Sequence, residues 1–188
     1  FFLSKNEYSA ASYDISPDGL EVAFAANTDR TGTLPNFDVI VLEACGCKAP
    51  RNVTADNPGD DDAPLYSPDG RWLAFTQQKI PTFYADRARL MLRDRAPGGA
   101  TRSLSGDWDR SAAALSWRPD SKALYGAIDD AGTNRVWRFD LATGSERRLT
   151  DFGPEYSIQD FDVSRDGKEI VFDRQRVTSV EWASYSIL

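Results

Sequence analysis

Ser67-Pro68-Asp69-Gly70-Arg71-Trp72-Leu73-Ala74-Phe75 is the stretch that decides the fold. Proline presets φ at the first corner of a turn, aspartate accepts hydrogen bonds from the turn's own backbone, and glycine takes the positive φ. The apolar and aromatic residues that follow suit a strand. The pattern recurs at Ser16-Pro17-Asp18-Gly19, Arg118-Pro119-Asp120-Ser121 and Ser164-Arg165-Asp166-Gly167, each time before a strand-like run. Asp18, Asp69, Asp120 and Asp166 are therefore 51, 51 and 46 residues apart. These four read as structural turn residues, not as catalytic ones.

A second motif lies downstream of each of the first three turns. Asp38–Leu42 leads to Pro50-Arg51-Asn52-Val53-Thr54, and Arg89–Asp94 leads to Thr101-Arg102-Ser103-Leu104-Ser105. Val136–Leu141 leads to Glu146-Arg147-Arg148-Leu149-Thr150 through the hairpin signal Ala142-Thr143-Gly144-Ser145. Each unit thus reads strand, SPDG-type turn, strand, loop, strand, turn, strand. Four antiparallel strands at this period are the signature of a β-propeller blade. The expected fold is all-β, a single partial propeller over 1–188 with about four blades near 11–54, 62–105, 112–150 and 157–188. No segment keeps a helical period. The tail Val177–Leu188 departs from the third-strand pattern, and the fourth blade is expected to stop there. An open arc leaves strand edges uncovered, so self-association through the terminal blades is expected.

Composition removes several function classes. The 22 Lys and Arg residues face 29 Asp and Glu, a net charge of −7, which argues against nucleic acid as a partner. The longest apolar runs, such as Val39–Leu42, are too short to span a bilayer. The chain contains no histidine, so no Ser-His-Asp or Cys-His site can be built from it. No phosphate-cradling loop and no cofactor motif is present. Cys45 and Cys47 flank Gly46, and free thiols at a loop tip are expected, with a strained redox-active disulfide as the alternative. Two cysteines without histidine give too few ligands for a metal, so no metal site is expected.

Three further stretches are Pro50–Pro58, Phe83-Tyr84-Ala85-Asp86-Arg87 and Gly106-Asp107-Trp108-Asp109-Arg110-Ser111. The turn repeats resemble TolB-type propellers. Together with these loops they resemble the N-terminal propeller of bacterial serine peptidases of the prolyl oligopeptidase family, in the dipeptidyl-peptidase and acylaminoacyl-peptidase branch. The resemblance covers roughly residues 11–175. It implies a non-catalytic domain that gates peptide access to a C-terminal α/β-hydrolase domain, the part of such proteins that holds Ser, Asp and His. No Gly-x-Ser-x-Gly elbow occurs in these residues. Partners implied are that hydrolase domain and peptides, in a periplasmic or secreted protein, with a cytoplasmic one as the alternative. A TolB-like periplasmic propeller that binds a protein and carries no enzyme is the competing function.

Phe83, Tyr84, Arg87 and Arg89 lie in the long loop after the second strand of blade two, and Trp108 and Arg110 lie in the connection that follows blade two. In blade topology these loops belong to one face, so the six residues form the candidate partner or substrate surface. Plugging of gaps between blades is the competing role for Phe83 and Trp108. The run Asp60-Asp61-Asp62 with Asp56 and Asn57 reads as a solvated connection rather than a calcium loop. Asp129–Asn134 reads as a turn, and the sequon Asn52-Val53-Thr54 as part of a strand motif. A propeller enzyme acting on sugars or lactones needs inward carboxylates at strand starts. Asp14 and Asp162 match in position, but Leu65 and Ser116 interrupt the series.

Overall fold

The computed structural model describes residues 12–176 and 179–186, the latter stretch as backbone. Among the described residues every regular element is a strand. The first sheet contains β1 (Tyr13–Ile15), β2 (Glu21–Asn27), β3 (Phe37–Glu43) and β4 (Arg51–Asn52). The second contains β5 (Asp61–Tyr66), β6 (Trp72–Gln77), β7 (Arg89–Asp94) and β8 (Thr101–Ser103). The third contains β9 (Ala112–Trp117), β10 (Ala123–Asp130), β11 (Thr133–Asp140) and β12 (Glu146–Arg148). The fourth contains β13 (Phe161–Val163), β14 (Glu169–Arg176) and β15 (Ser179–Ser186). Each sheet is an antiparallel meander in chain order, and none closes on itself. This is the architecture of propeller blades. β15 pairs with β14 along its whole length, from Arg176↔Ser179 to Glu169↔Ser186. Val177 lies outside the described residues.

Two compact units hold the sheets, one ending at Asp107 and the other starting at Trp108. In the first, Ala23, Val39 and Val41 of one sheet meet Tyr66, Leu73 and Phe75 of the next. In the second, Tyr125, Ala127 and Val136 meet Phe161, Ile170 and Phe172 in the same way. The period of two along a strand presents each apolar set to the neighbouring sheet. The core of each unit therefore lies between sheets.

The repeated turns are built alike. Asp18 Oδ1 accepts the Ser16 hydroxyl at 2.6 Å and the Leu20 N–H at 3.0 Å, while Ser16 Oγ accepts the Glu21 N–H at 2.9 Å. Ser67, Asp69, Arg71 and Trp72 repeat this arrangement, and so do Ser164, Asp166, Lys168 and Glu169. Gly19, Gly70 and Gly167 take φ near +70° (70°, 71° and 69°). In the third blade Arg118 replaces the serine and pairs with Asp120 at 2.9 Å, and Ser121 takes the positive φ of 59°.

The second motif has an equally local cause. Thr54, Ser105 and Thr150 are buried, and each hydroxyl accepts a third-strand backbone N–H: Val39 at 3.0 Å, Leu90 at 3.1 Å and Val136 at 3.0 Å. The fourth strand is thereby tied to the third just where the ladder ends. Replacing Thr150 by valine keeps the volume and strands the Val136 N–H, at a cost of about 1–3 kcal/mol. Urea unfolding of Thr150→Val should show that loss, and Thr143→Val at an exposed turn should show much less.

Candidate functional site

Gln78–Ala88 joins β6 to β7 and carries three of the six candidate surface residues, Phe83, Tyr84 and Arg87, while Arg89 opens β7. One carboxylate organises it. Asp86 Oδ2 accepts the Lys79 N–H at 2.6 Å, the Ile80 N–H at 3.1 Å and Arg89 Nη1 at 3.1 Å. The Gln78 amide donates to the carbonyls of Tyr84 and Asp86 at 3.0 and 2.6 Å. Burial raises the Asp86 pKa, but these hydrogen bonds and the Arg89 charge outweigh it and hold it at about 2. Arg89 is nearly buried by this pairing, and Arg87 reaches Asp107 at 3.9 Å. The apolar side chains point the other way: Ile80 and Phe83 are half exposed, and Tyr84 is 90% exposed. The loop is a braced platform that displays an aromatic pair.

Trp108 and Arg110, in the second unit, have a different environment. The Trp108 ring meets Trp137 edge-on at 4.8 Å and Phe139 at 5.5 Å, and its Nε1 donates to Glu146 at 3.2 Å. Arg110 lies over both tryptophan rings and pairs with Asp130 at 3.0 Å. These two residues pack against the outer strands of their own blade. Asp130 also receives Arg148, and Ala131 and Gly132 both take positive φ, 53° and 80°, in the β10–β11 hairpin. Asp129–Asn134 is thus a tight turn.

A charged hub between the first two sheets escaped the sequence. Arg95 pairs with Glu21 at 2.8 Å, stacks over Tyr66 at 4.6 Å and donates to the Gly70 carbonyl. Beside it opens a cleft of about 420 Å³, lined among others by Glu21, Glu43, Arg51, Tyr66 and Arg93. Arg95 and Glu21 are 74 positions apart, so no local pattern announces the pair. The strand-start aspartates serve the same end of linking sheets. Asp14 Oδ2 accepts the Tyr66 N–H at 2.7 Å, and Ser116 donates to Asp162 at 3.1 Å. Burial raises the Asp14 pKa against the lowering effect of the Tyr66 and Ile15 N–H groups. These contacts give Asp14 and Asp162 a structural use between neighbouring sheets.

The acidic run corrects one expectation. Far from being a wholly solvated connection, it contains the fully buried Asp61. Its three carboxylates also serve three different sites. Asp60 accepts the Phe37 N–H at 3.0 Å, Asp61 accepts Asn57 and Gln77 at 3.0 and 2.9 Å, and Asp62 accepts the Ala63 N–H at 2.7 Å. Burial pushes the Asp61 pKa up to about 7, helped by the Asp38 charge and opposed by the Gln77, Asn57 and Thr54 hydrogen bonds. Asn52 of the sequon donates its amide to Asp38 at 2.9 Å, and Thr54 is buried.

The cysteines give a second correction. They are not free thiols: Cys45 and Cys47 form a disulfide. Gly46 at φ 64° and its N–H bond to the Glu43 carbonyl fold the tip tightly, bringing the two Cα atoms to 5.3 Å. That separation lies inside the range a disulfide spans.

No protein-family model matches the chain. It is 32% identical over 139 residues to dipeptidyl-peptidase 5 of Aspergillus fumigatus, covering 68% of this chain and 19% of the relative. It is 31% identical over 156 residues to dipeptidyl-peptidase 5 of Porphyromonas gingivalis, covering 80% and 22%. The chain therefore spans about a fifth of the length of these curated relatives. Among solved structures, a puromycin-hydrolyzing peptidase of Mycobacterium tuberculosis superposes with a TM-score of 0.72 at 22% identity, over 93% of this chain and 29% of that one. TolB from Acinetobacter baumannii superposes with a TM-score of 0.69 at 22% identity, over 94% and 40%. The structural likenesses show the propeller fold.

Two outcomes follow from the carboxylates. The folded pKa of Asp61 lies above its ordinary value of 3.8, so ionisation opposes folding. The Asp61 contribution should be full below about pH 4, fall by a few kcal/mol up to about pH 7, and then level off. With no histidine to titrate in that window, urea unfolding against pH should show a slope that Asp61→Asn removes. Asp86 has the opposite sign: its contribution is present above pH 3.8 and is lost as pH falls through about 2. Asp86→Asn should speed hydrogen exchange at Lys79 and Ile80 and leave the β6–β7 ladder protected.

Proposed function

From its place among the β-propeller segments of prolyl oligopeptidase-family serine peptidases, we propose that this chain is a non-catalytic access domain. It gates short peptides toward an α/β-hydrolase domain that supplies Ser, Asp and His. The observation that carries this reading is the braced β6–β7 loop with Phe83 and Tyr84 held in solvent. A rigid loop that exposes two aromatic side chains suits a surface covered by another domain, because burying them there orders little additional chain. The reach of the dipeptidyl-peptidase 5 relatives over most of the chain supports a peptidase as the source of that domain.

The gate acts by exclusion. In a propeller the first strand of each blade borders the central channel. In this chain β1 presents Tyr13 and Ile15 to solvent, 62% and 54% exposed. Apolar side chains at such a border favour an extended peptide, whose side chains they can touch. A folded domain is rejected by width alone. In this proposal the hydrolase domain supplies the Ser-His-Asp set, which this chain, with no histidine, cannot complete.

The test uses the complete gene product. A Gly-x-Ser-x-Gly serine in the same product, with cleavage of short peptides but not of folded proteins, is expected. Phe83→Ser with Tyr84→Ser should raise KM or loosen the size limit while the isolated fold keeps its stability. A gene product without a hydrolase domain would overturn the peptidase reading and favour a TolB-like binding propeller.

A further inference from the structure

The β3–β4 tip brings a third donor to the two cysteines. Glu43 closes β3, and its Oε1 is held by Lys48 Nζ at 2.6 Å. That contact turns Oε2 toward the sulfurs, 3.7 Å from Cys45 Sγ and 3.5 Å from Cys47 Sγ. Neither sulfur carries a proton in the disulfide, so these contacts are not hydrogen bonds. Three electron-rich atoms face one another, all within 4.8 Å, with both cysteines exposed. In a tetrahedral zinc site with Zn–S near 2.3 Å and Zn–O near 2.1 Å, sulfur and oxygen ligands stand about 3.6 Å apart. The two sulfur–oxygen distances already match that spacing. Only the sulfurs must separate, to about 3.8 Å, and that requires breaking the bond between them.

We propose that Glu43, Cys45 and Cys47 form a redox-gated site for one thiophilic divalent cation such as Zn²⁺. Two low-molecular-weight thiols reduce the disulfide: two electrons and two protons pass to Cys45 and Cys47, and the donors leave joined as their own disulfide. The cation then displaces both thiol protons and takes two thiolates and Glu43 Oε2, with solvent in the fourth position. A low-molecular-weight disulfide reoxidises the pair by exchange: it takes two electrons, leaves as two thiolates, the Cys45–Cys47 bond re-forms and the ion is released. Lys48 does not ligate; it orients the carboxylate through Oε1, as an outer partner does in a metal site. Because the tip is exposed and joins two strands of one sheet, loading and release need no rearrangement of the core. The site stands on its own geometry and does not depend on the peptidase reading.

The experiment titrates Cd²⁺ as the probe into anaerobic reduced protein and follows the thiolate-to-cadmium absorption band, with Zn²⁺ competing against a chromophoric chelator. One ion per reduced chain and none per oxidised chain is expected. Cys47→Ser and, separately, Cys45→Ser should abolish the band. Glu43→Gln should weaken binding at least about tenfold, the loss that even an outer partner of a ligand brings. Lys48→Gln should weaken it less. Failure of the reduced protein to take up one ion, uptake by the oxidised protein, or an unchanged affinity in Glu43→Gln would each overturn the three-donor site.

Discussion

A sheet of four short strands cannot bury its own apolar face, and this constraint organises the molecule. Each compact unit solves it by laying one sheet against the next, so that Ala23, Val39 and Val41 meet Leu73 and Phe75, and Ala127 and Val136 meet Ile170 and Phe172. Hydrophobic burial between blades then supplies the main driving force, and it is non-directional. Direction comes from polar links at the same seams. Asp14 takes the Tyr66 N–H, Ser116 reaches Asp162, and Arg95 joins Glu21 while covering Tyr66. These contacts fix which strand of one sheet lies beside which strand of the next.

The repeat was legible because its causes are local. Serine, aspartate and glycine within four positions close each turn through bonds spanning two to five residues, and the same bonds form in three blades. Even the substituted third turn keeps the aspartate and finds a new partner in Arg118. What stayed hidden depends on long separations or on side-chain direction. Asp61 sits in an acidic run that looks solvated, yet its burial depends on Gln77, 16 positions on. Glu43 looks like an ordinary strand-end acid until Lys48 folds back and turns one oxygen toward the sulfurs. Trp108 and Phe83 looked alike in sequence. Only the contacts of Trp108 with Trp137 and Phe139 separate a residue spent on its own blade from one left in solvent.

The acidic balance of the chain takes on a different meaning with these contacts in view. An excess of carboxylates suggests a field for cations or basic partners. Many of them are instead spent on backbone N–H groups. Asp18, Asp69, Asp120 and Asp166 hold the SPDG-type turns, Asp29 holds Thr31 and Leu34, Asp140 holds Ala142 and Thr143, and Asp86 holds Lys79 and Ile80. Aspartate suits this work because its short side chain reaches an N–H two residues on, which lysine and arginine cannot accept. A turn-rich propeller therefore accumulates negative charge as a by-product of closing its hairpins. Net charge in such a fold reports the number of turns as much as it reports the nature of a partner. The places to seek chemistry are side chains that those hydrogen bonds leave in solvent, among them the aromatic pair on the β6–β7 loop, Tyr13 and Ile15 of β1, and the sulfur pair on the β3–β4 tip.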